Sequence, residues 1–356
     1  MIKKLLKQVV GIDVSHKKLD VSLGRMDEQT ITRVYMHKTF DNSEKGFMVL
    51  ILWIKKHTEP DVPPRFVMEA TGVYHQSLAY YLSGKGYAVS IVMPNKISNF
   101  FKTLEGKTVT DKSMSAAIAM FGLEKNPDNW APPKKAYREL RQVTRERDQI
   151  KAERTMVKNQ LHAEEVEAFP CAKAIVRIKV RINMLDSQVK EIIAEVKAIV
   201  KNEAEVADAM ALITTIPGVG VLTGAIILAE TDGFALIKNK RQLTSYSGLD
   251  VKLKDSGTSV HGKPRISKKG NKHLRKAMHM PALAAIGCNT QYKAIFDRIF
   301  SKTGIKMKGV VAVQRKLLEM AYTIYKTKKP FELNYMENQA KKKLELKPEM
   351  ELEEVY

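Results

Sequence analysis

Short apolar runs and longer helical stretches alternate along the first part of the chain. Apolar, β-branched or alternating runs predict strands at residues 8–14, 19–23, 31–36, 65–70 and 88–93. Apolar positions at helical spacing predict a helix at 42–56, capped by Asn42-Ser43, and another near 76–82. The first two strands are close enough to form a hairpin. Three strands followed by alternating strand and helix predict an α/β domain of about 125 residues.

Beyond Trp130 the pattern becomes helical and highly charged. Residues 136–168 contain no Gly or Pro, and residues 172–201 carry an apolar seam whose spacings alternate between three and four. The seam consists of Ile175, Ile178, Ile182, Leu185, Val189, Ile192, Val196 and Ile199. It predicts a coiled coil or a long helical hairpin turning at Phe169-Pro170, and it favours pairing between subunits over packing within one domain. Arg147 and Arg154 interrupt the seam of the first run.

Four segments follow from these patterns. Residues 1–128 form the α/β domain, 134–203 a coiled-coil or helical spacer, 205–328 a basic, mainly α-helical domain, and 329–356 a charged tail. The basic domain opens with IPGVG at residues 216–220, which resembles the turn of a helix-hairpin-helix. Glycines at such a turn let backbone N–H groups approach a phosphate. An ordinary turn between two helices is the alternative interpretation.

Charge and cysteine content narrow the class of partner. Sixty Lys and Arg against 39 Asp and Glu give a net charge of +21, which favours a polyanion such as nucleic acid. An acidic membrane surface is the competing partner, but no run of roughly 20 apolar residues is present to span a membrane. The first residues lack the apolar core of a signal peptide, and Cys171 and Cys288 form no CxxC motif. We therefore expect a cytoplasmic protein.

Much of the positive charge is concentrated in one segment. Residues 236–280 hold twelve Lys and Arg and two acidic residues, whereas a solvated face normally mixes both signs. This excess favours phosphate binding. The predicted nucleic-acid-binding residues are Gly218, Gly220, Lys252, Lys254, Lys263, Arg265, Lys268, Lys269, Lys272 and Arg275.

Three acidic residues are candidates for a metal site. Asp13 lies within an apolar strand, where an uncompensated carboxylate is costly. Glu69 ends another apolar strand, and Asp111 opens a helical stretch. Carboxylates from separate strands and a helix start can converge on Mg²⁺, which supports phosphoryl transfer. A strand-end residue and a helix cap are the simpler interpretations of each residue alone, but the three together favour metal.

Ser256 is a candidate nucleophile inside the basic segment. It stands in Asp255-Ser256-Gly257, with Lys252, Lys254 and Arg265 near it in sequence. A serine needs a proton acceptor and stabilisation of the developing charge to act as a nucleophile. Spacing alone favours an ordinary loop serine.

Together these motifs carry a resemblance to a known family. They are VGIDVS at residues 10–15, MEATGVY at 68–74, TDK at 110–112, IPGVG at 216–220, SGL at 247–249, DSG at 255–257 and RISKKGN at 265–271. In this order they resemble the DEDD-type insertion-sequence transposases, which are bridge-RNA-guided serine recombinases related to the Piv DNA invertase.

The resemblance implies a fold, a chemistry and partners. It implies a RuvC-like (RNase H fold) N-terminal domain with Asp13, Glu69 and Asp111 as catalytic metal ligands for Mg²⁺ or Mn²⁺. It also implies that Ser256 forms a covalent phosphoserine with DNA. The partners would be donor and target DNA, a structured guide RNA and further copies of the chain, as a dimer or tetramer joined by the coiled coil. The setting would be a prokaryotic nucleoid.

One position departs from the family pattern. The family has a fourth acid three residues after the third, and this chain has Met114 there. Thioether sulfur is a poor ligand for Mg²⁺. The leading hypothesis is an RNA-guided transposase or recombinase with Ser256 as nucleophile. The alternatives are a metal-dependent RuvC-like nuclease without a covalent intermediate and a catalytically impaired nucleic-acid-binding relative.

Overall fold

The structure is a computed structural model that describes residues 4–70, 72–104, 108–235, 237–253, 255–256, 260–262 and 264–333, with backbone alone at 255–256 and 260–261. The chain divides into two compact units, Met1–Pro132 and Pro133–Tyr356. The predicted helical spacer and basic domain both lie in the second unit.

The N-terminal unit is built on a five-stranded sheet. Its strands are β1 (Leu5–Val14), β2 (Lys18–Asp27), β3 (Thr32–Asp41), β4 (Arg65–Glu69) and β5 (Val89–Val92). Their order is β3-β2-β1-β4-β5. The first three strands are antiparallel neighbours, whereas β4 runs parallel to β1 and β5 parallel to β4. The α/β prediction is confirmed, and every predicted strand is present.

Helices cover both faces of this sheet. They are α1 (Glu44–His57), α2 (Gln76–Gly84), α3 (Pro94–Phe101) and α4 (Asp111–Lys125). One core joins the sheet to residues of α1 and α2, such as Leu50 and Leu78. A second core joins the opposite face to α3 and α4 through residues such as Ile97 and Ile118. As predicted, Ser43 caps α1 by accepting a hydrogen bond from the Gly46 N–H.

Two glycines let α4 lie directly on the sheet. A Cβ atom on Gly11 of β1 would stand 2.2 Å from the backbone nitrogen of Ala119 and 2.4 Å from the Ser115 carbonyl oxygen. A Cβ atom on Gly122 would stand 2.6 Å from Val9 Cγ1. The late part of α4 therefore packs on the early part of β1, and the first turn of α4 is directed towards the carboxyl end of that strand.

The C-terminal unit begins with a long helical hairpin made of α5 (Lys135–Val166) and α6 (Ala172–Asn202). The bounds match the two predicted helical runs. Ile178, Ile182 and Leu185 of α6 pack with Val157 of α5 in a small apolar cluster. Every position of the predicted seam is buried or half-buried within this one chain. Of the two interpretations, the structure has the helical hairpin, and a second subunit is not needed to cover the seam.

The rest of the unit is mainly helical, as predicted. Its elements are α7 (Ala204–Ile213), α8 (Val221–Thr231), α9 (Lys240–Ser247), β6 (Val251–Lys252), β7 (Asp255–Ser256), β8 (Val260–His261), β9 (Arg265–Ile266), α10 (Lys272–Ala277), α11 (His279–Cys288), α12 (Thr290–Thr303) and α13 (Lys306–Thr327). The short strands pair as β6 with β9 and β7 with β8. One apolar core includes Leu140 of α5, Val196 of α6, Ile227 of α8 and Leu317 of α13. The base of the hairpin is thus part of the same folded unit as the basic segment.

No helix within the described ranges is long and apolar enough to cross a membrane. Cys171 and Cys288 are both exposed free thiols.

Candidate functional site

Asp13 and Glu69 end two neighbouring parallel strands. Ile12 of β1 is in register with Met68 of β4, so the next residue on each strand reaches the same level of the sheet. Side chains alternate between the faces of a strand, which puts Asp13 on the face of Gly11, where α4 packs. The sequence analysis placed these carboxylates on separate strands, and the parallel pairing makes the two strands neighbours.

Asp111 is the first residue of α4. Thr110 caps the helix: the Ser113 N–H donates to the Thr110 hydroxyl over 3.2 Å, and the Thr110 N–H donates to the Ser113 hydroxyl over 2.8 Å. This reciprocal capping box fixes where the helix begins. Because α4 lies along β1 with its first turn towards Asp13, the carboxylate of Asp111 is placed on the same side of the sheet.

The electrostatics of Asp13 show that these carboxylates share one environment. Burial, which is the largest cause, and the charges of Asp111, Glu69 and Asp20, in that order, together raise the pKa of Asp13 from 3.8 to about 6. Repulsion of this kind favours either a bound proton or a bound cation. Among the described residues, no group of three or more His, Cys, Asp and Glu is arranged closely enough to hold a metal ion. The acids are therefore neighbours, without forming a closed coordination shell.

Asp20 is a member of this cluster that the sequence analysis missed. It lies directly opposite Asp13 in the β1–β2 register. Its carboxylate accepts a hydrogen bond from the Thr39 hydroxyl over 2.7 Å, and His37 Nε2 lies 3.3 Å from the same oxygen, Oδ1. Like charges at directly opposed positions destabilise a sheet, so this pairing calls for compensation. The signal was the predicted hairpin, because its register decides which residue faces Asp13.

Met114 lies one helical turn after Asp111. Its side chain is half-buried and packs against the apolar cluster that contains Val9, Val67 and Phe100. The position at which the resembling family has a fourth acid therefore adds an apolar contact in this chain.

The predicted nucleophile lies in the second compact unit. Ser256 is the last residue of β7 and pairs with Val260 of β8. Its side chain, together with Lys254 and Lys263 of the predicted nucleic-acid-binding set, lies outside the described residues. The structure thus gives the backbone position of Ser256, in a two-stranded ribbon inside the basic segment, and leaves its role a prediction.

Most of the remaining predicted basic residues are exposed around this ribbon and the start of α10. The exposed ones are Lys252, Arg265, Lys268, Lys269 and Lys272. Arg275 is half-buried, and its Nη1 donates to the Ser247 carbonyl oxygen over 2.8 Å. That bond ties α10 to the end of α9.

The two glycines before α8 differ in their surroundings. Gly218 has a φ of +80°, and a Cβ atom there would stand 2.4 Å from the Pro281 carbonyl oxygen, so this residue is needed for close packing on α11. Gly220 is the N-cap of α8, and a Cβ atom there would meet nothing within 4 Å. The space beside Gly220 is therefore open, whereas Gly218 is packed against α11.

Glu230 is a buried acid that the sequence analysis also missed. Its side chain is 1% exposed and forms a two-pronged ion pair with Arg145, with Nε–Oε1 and Nη2–Oε2 distances of 2.7 and 2.8 Å. Asn271 Nδ2 donates to Oε2 over 2.6 Å. Burial opposes ionisation, but the hydrogen bonds from Arg145 and Asn271 outweigh it and lower the pKa of Glu230. The network anchors the start of α10, which carries Lys272 and Arg275, to α5.

Two family models match this chain. A DEDD-type transposase model of IS110 matches residues 10–170, which include all three predicted carboxylates. A model described as "Transposase IS116/IS110/IS902 family" matches residues 210–297, which include Ser256. The chain belongs to the IS110 family of transposases. This transposase is accordingly an enzyme that acts in DNA transposition or recombination.

Relatives of known name agree with this assignment. The transposase is 28% identical over 332 residues to the "Pilin gene-inverting protein" of Moraxella bovis, covering 92% of this chain and 98% of the relative. A protein of the same name from Moraxella lacunata is also 28% identical, over 333 residues. An uncharacterized protein of insertion element IS110 from Streptomyces coelicolor is 27% identical over 125 residues, 33% of this chain and 31% of that protein.

Solved structures give a weaker likeness. RuvC of T. thermophilus in complex with a Holliday junction is 11% identical, with a TM-score of 0.26, covering 35% of the transposase and 99% of the RuvC chain.

Proposed function

We propose that this IS110-family transposase cuts and rejoins DNA through Ser256, supported by a divalent metal ion at Asp13, Glu69 and Asp111. The observation that supports the proposal is the surroundings of Asp13, where burial first, and then the charges of Asp111 and Glu69, raise the pKa of the carboxyl to about 6. Enzymes of phosphoryl transfer use clusters of carboxylates to bind the metal ions that stabilise the reacting phosphate. The order β3-β2-β1-β4-β5, with three antiparallel strands and then two parallel ones, supports an RNase H-like (RuvC-like) domain.

The donor set fits a hard divalent cation. Carboxylate oxygens are the ligands that Mg²⁺ and Mn²⁺ take in proteins, and a cation among them offsets the repulsion around Asp13. When bound, such an ion activates a nucleophile and stabilises the charge of the transferring phosphoryl group. Asp13 and Glu69 hold their carboxylates on rigid strand ends, and Asp111 is fixed by the capping box of α4. Because Met114 offers no oxygen, Asp13, Glu69 and Asp111 are the residues that would hold the ion.

Ser256 supplies the covalent step of the proposal. Its oxygen attacks a DNA phosphorus, a phosphoserine ester forms as the bond from phosphorus to one deoxyribose oxygen breaks, and the serine proton ends on the departing deoxyribose oxygen. A hydroxyl from another strand then attacks the ester, which restores the serine and rejoins DNA. Each step exchanges one phosphoester bond for another, and no external energy source is consumed. Ser256 is close in sequence to Lys252 and Arg265, which supports this role, since cations stabilise the pentavalent phosphate.

The partners in the proposal follow from the family resemblance. They are donor and target DNA, a structured RNA that pairs with both, and further copies of this chain. The Moraxella relatives are named for inverting a pilin gene, which supports recombination between two DNA sites. Because α6 covers its seam within one chain, a multimer would use other surfaces of the hairpin or of the two units.

An assay for an SDS-resistant protein–DNA adduct tests the covalent step. Full-length protein, RNA from the flank of its element and junction DNA are incubated with Mg²⁺, and the products are separated on a denaturing gel. We expect an adduct with wild type and with Ser259→Ala, a control in the same segment, and none with Ser256→Ala. Asp13→Ala should also form none.

Two outcomes would replace the proposal with an alternative. Strand cleavage that persists in Ser256→Ala without any adduct would establish a metal-dependent nuclease. Binding of DNA and RNA without cleavage, reversed by Met114→Asp, would establish an impaired relative whose missing fourth acid is decisive.

A further inference from the structure

A deep cleft lies wholly within the C-terminal unit. It is bordered by α5, the start of α8 and the α10–α11 segment, and its volume is about 1050 Å³. Its charged lining is one-sided, with six Lys and Arg against one carboxylate. The cations are Arg145, Arg147, Lys151, Lys272, Arg275 and Lys276, and the acid is Asp148.

Arg147 is a largely buried cation with only weak compensation. Its side chain is only 13% exposed, and the nearest acid is Asp148, with an Nη1–Oδ1 distance of 3.5 Å. That same carboxylate also lies 3.3 Å from Lys276 Nζ. Among the described residues the buried Nε of Arg147 has no hydrogen-bond partner, and burial lowers the pKa of the guanidinium. A buried guanidinium in this state gains from an anion that reaches it.

Lys151 continues the same face of α5 one turn later. It is exposed and forms no ion pair within the described part of the chain. The charge of Arg147, followed by burial, lowers the pKa of Lys151, so positive charge is crowded here beyond what Asp148 offsets. Thr155, a further turn along, adds a hydroxyl to the lining. The row from Arg147 to Thr155 is about 12 Å long, at 1.5 Å per residue.

The start of α8 opens into the same cleft. Leu222 and Thr223 belong to its first turn and line the cavity. Gly220 caps this helix without a side-chain hydrogen bond, so the first-turn N–H groups have no capping acceptor among the described side chains. A helix start of this kind attracts anions through its dipole and its N–H groups. Two independent features, the cation row and the helix start, therefore point to an anion in one cavity.

We infer that this cleft binds the phosphodiester backbone of DNA, with Arg147 and Lys151 of α5 as its principal cations. The cavity is much larger than one phosphate, and the α5 row suits several phosphates in succession. This role also explains why Arg147 interrupts the apolar seam of α5, since its side chain serves the cleft. The inference extends the predicted basic segment to a distant part of the sequence. It depends on neither Ser256 nor a guide RNA.

Fluorescence anisotropy with a labelled DNA duplex tests the inference. Full-length protein is titrated in EDTA, so that neither metal binding nor strand cleavage contributes. The double variant Arg147→Gln/Lys151→Gln is compared with Lys173→Gln/Lys197→Gln, which removes the same charge from exposed positions of α6 outside the cleft. We expect the cleft variant to bind about tenfold more weakly than the control. The slope of log K against log salt should fall by about 2, or about 0.9 per lost phosphate contact.

Further variants protect the test against misfolding. Lys151→Gln alone changes an exposed side chain and should show about half of the change in salt slope that the double variant shows. Arg147→Lys keeps the charge and should retain most of the affinity for DNA. Equal affinities and slopes for the cleft and control variants would overturn the inference. So would a loss confined to an RNA duplex of the same length with DNA binding unchanged. The anisotropy titration measures binding without strand cleavage. Its result therefore does not depend on whether the covalent-adduct assay succeeds.

Discussion

Two carboxylates, one in each compact unit, have opposite surroundings. Asp13 is half-buried beside three other acids, and its pKa is raised to about 6. Glu230 is almost wholly buried, but Arg145 and Asn271 hold its carboxylate and lower its pKa. Removing a buried carboxylate that is paired within the protein destabilises the fold, because its partner is left uncompensated. A carboxylate left among like charges instead favours a bound proton or a bound cation. The comparison separates an acid that is paired within the protein from one that we propose binds a metal ion.

The largest expected effect comes from breaking the compensated pair. Glu230→Gln leaves Arg145 without its ionic partner, and we expect the free energy of unfolding to fall by about 2–3 kcal/mol, since Arg145 is partly exposed. Urea denaturation measures this change. The matched control is Glu205→Gln, which breaks the exposed pair with Lys134 and should cost less than about 1 kcal/mol. Equal losses in both variants would contradict the structural role of Glu230.

The pH dependence of the two acids should have opposite signs. The folded-state pKa of Glu230 is lowered, so its stabilisation is present above the unfolded value of 4.5 and is lost as pH falls through the folded value. The folded-state pKa of Asp13 is raised, so the folded state binds more protons and stability falls as pH rises from 3.8 to about 6.

Asp13→Asn removes the ionisable group whose pKa is raised. Without metal, we expect it to stabilise the protein near neutral pH by on the order of 1 kcal/mol, after discounting for partial exposure. It should also remove part of the decline in stability with rising pH. Thermal melting in EDTA across this pH range measures both effects, and destabilisation by Asp13→Asn above its pKa would contradict the account.

The smallest effect sharpens the comparison by adding an acid. Met114→Asp places a fourth carboxylate one turn from Asp111, and we expect Mn²⁺ to bind more tightly, because affinity rises with the number of charged ligands. The same change removes an apolar contact with the cluster around Val9 and should cost about 1 kcal/mol in EDTA. Met114→Ala loses the contact without adding charge and is the control. Equal Mn²⁺ affinity in both variants would place this position outside the metal site.

Asp13 could be selected from the sequence as a candidate site residue, whereas Glu230 could not. Asp13 stands out in the sequence because it is a charged residue within an apolar run that predicts a strand. Strand periodicity likewise predicted the whole N-terminal sheet, because each strand is patterned independently of the others. Asp20 was missed because its position opposite Asp13 depends on hairpin register, which the periodicity leaves open.

The contacts of the C-terminal unit depend on packing between distant segments. Glu230 pairs with Arg145 across 85 positions of the sequence. Arg147 likewise lines the same cleft as Lys272 and Lys276, which lie on a distant helix of the chain. The local pattern of apolar and polar residues does not predict contacts between such distant segments. The helical seam shows the same limit, since its spacing predicted pairing but left open whether α5 or a second subunit provides the partner.

A metal titration followed by thermal melting tests the central claim most directly. Wild type and Asp13→Asn are melted near neutral pH over a series of Mn²⁺ concentrations, with Glu205→Gln as a control for general charge effects. We predict a melting temperature that rises with Mn²⁺ in wild type and in Glu205→Gln, and stays nearly constant in Asp13→Asn. Equal rises in all three proteins would contradict a metal site at Asp13, Glu69 and Asp111.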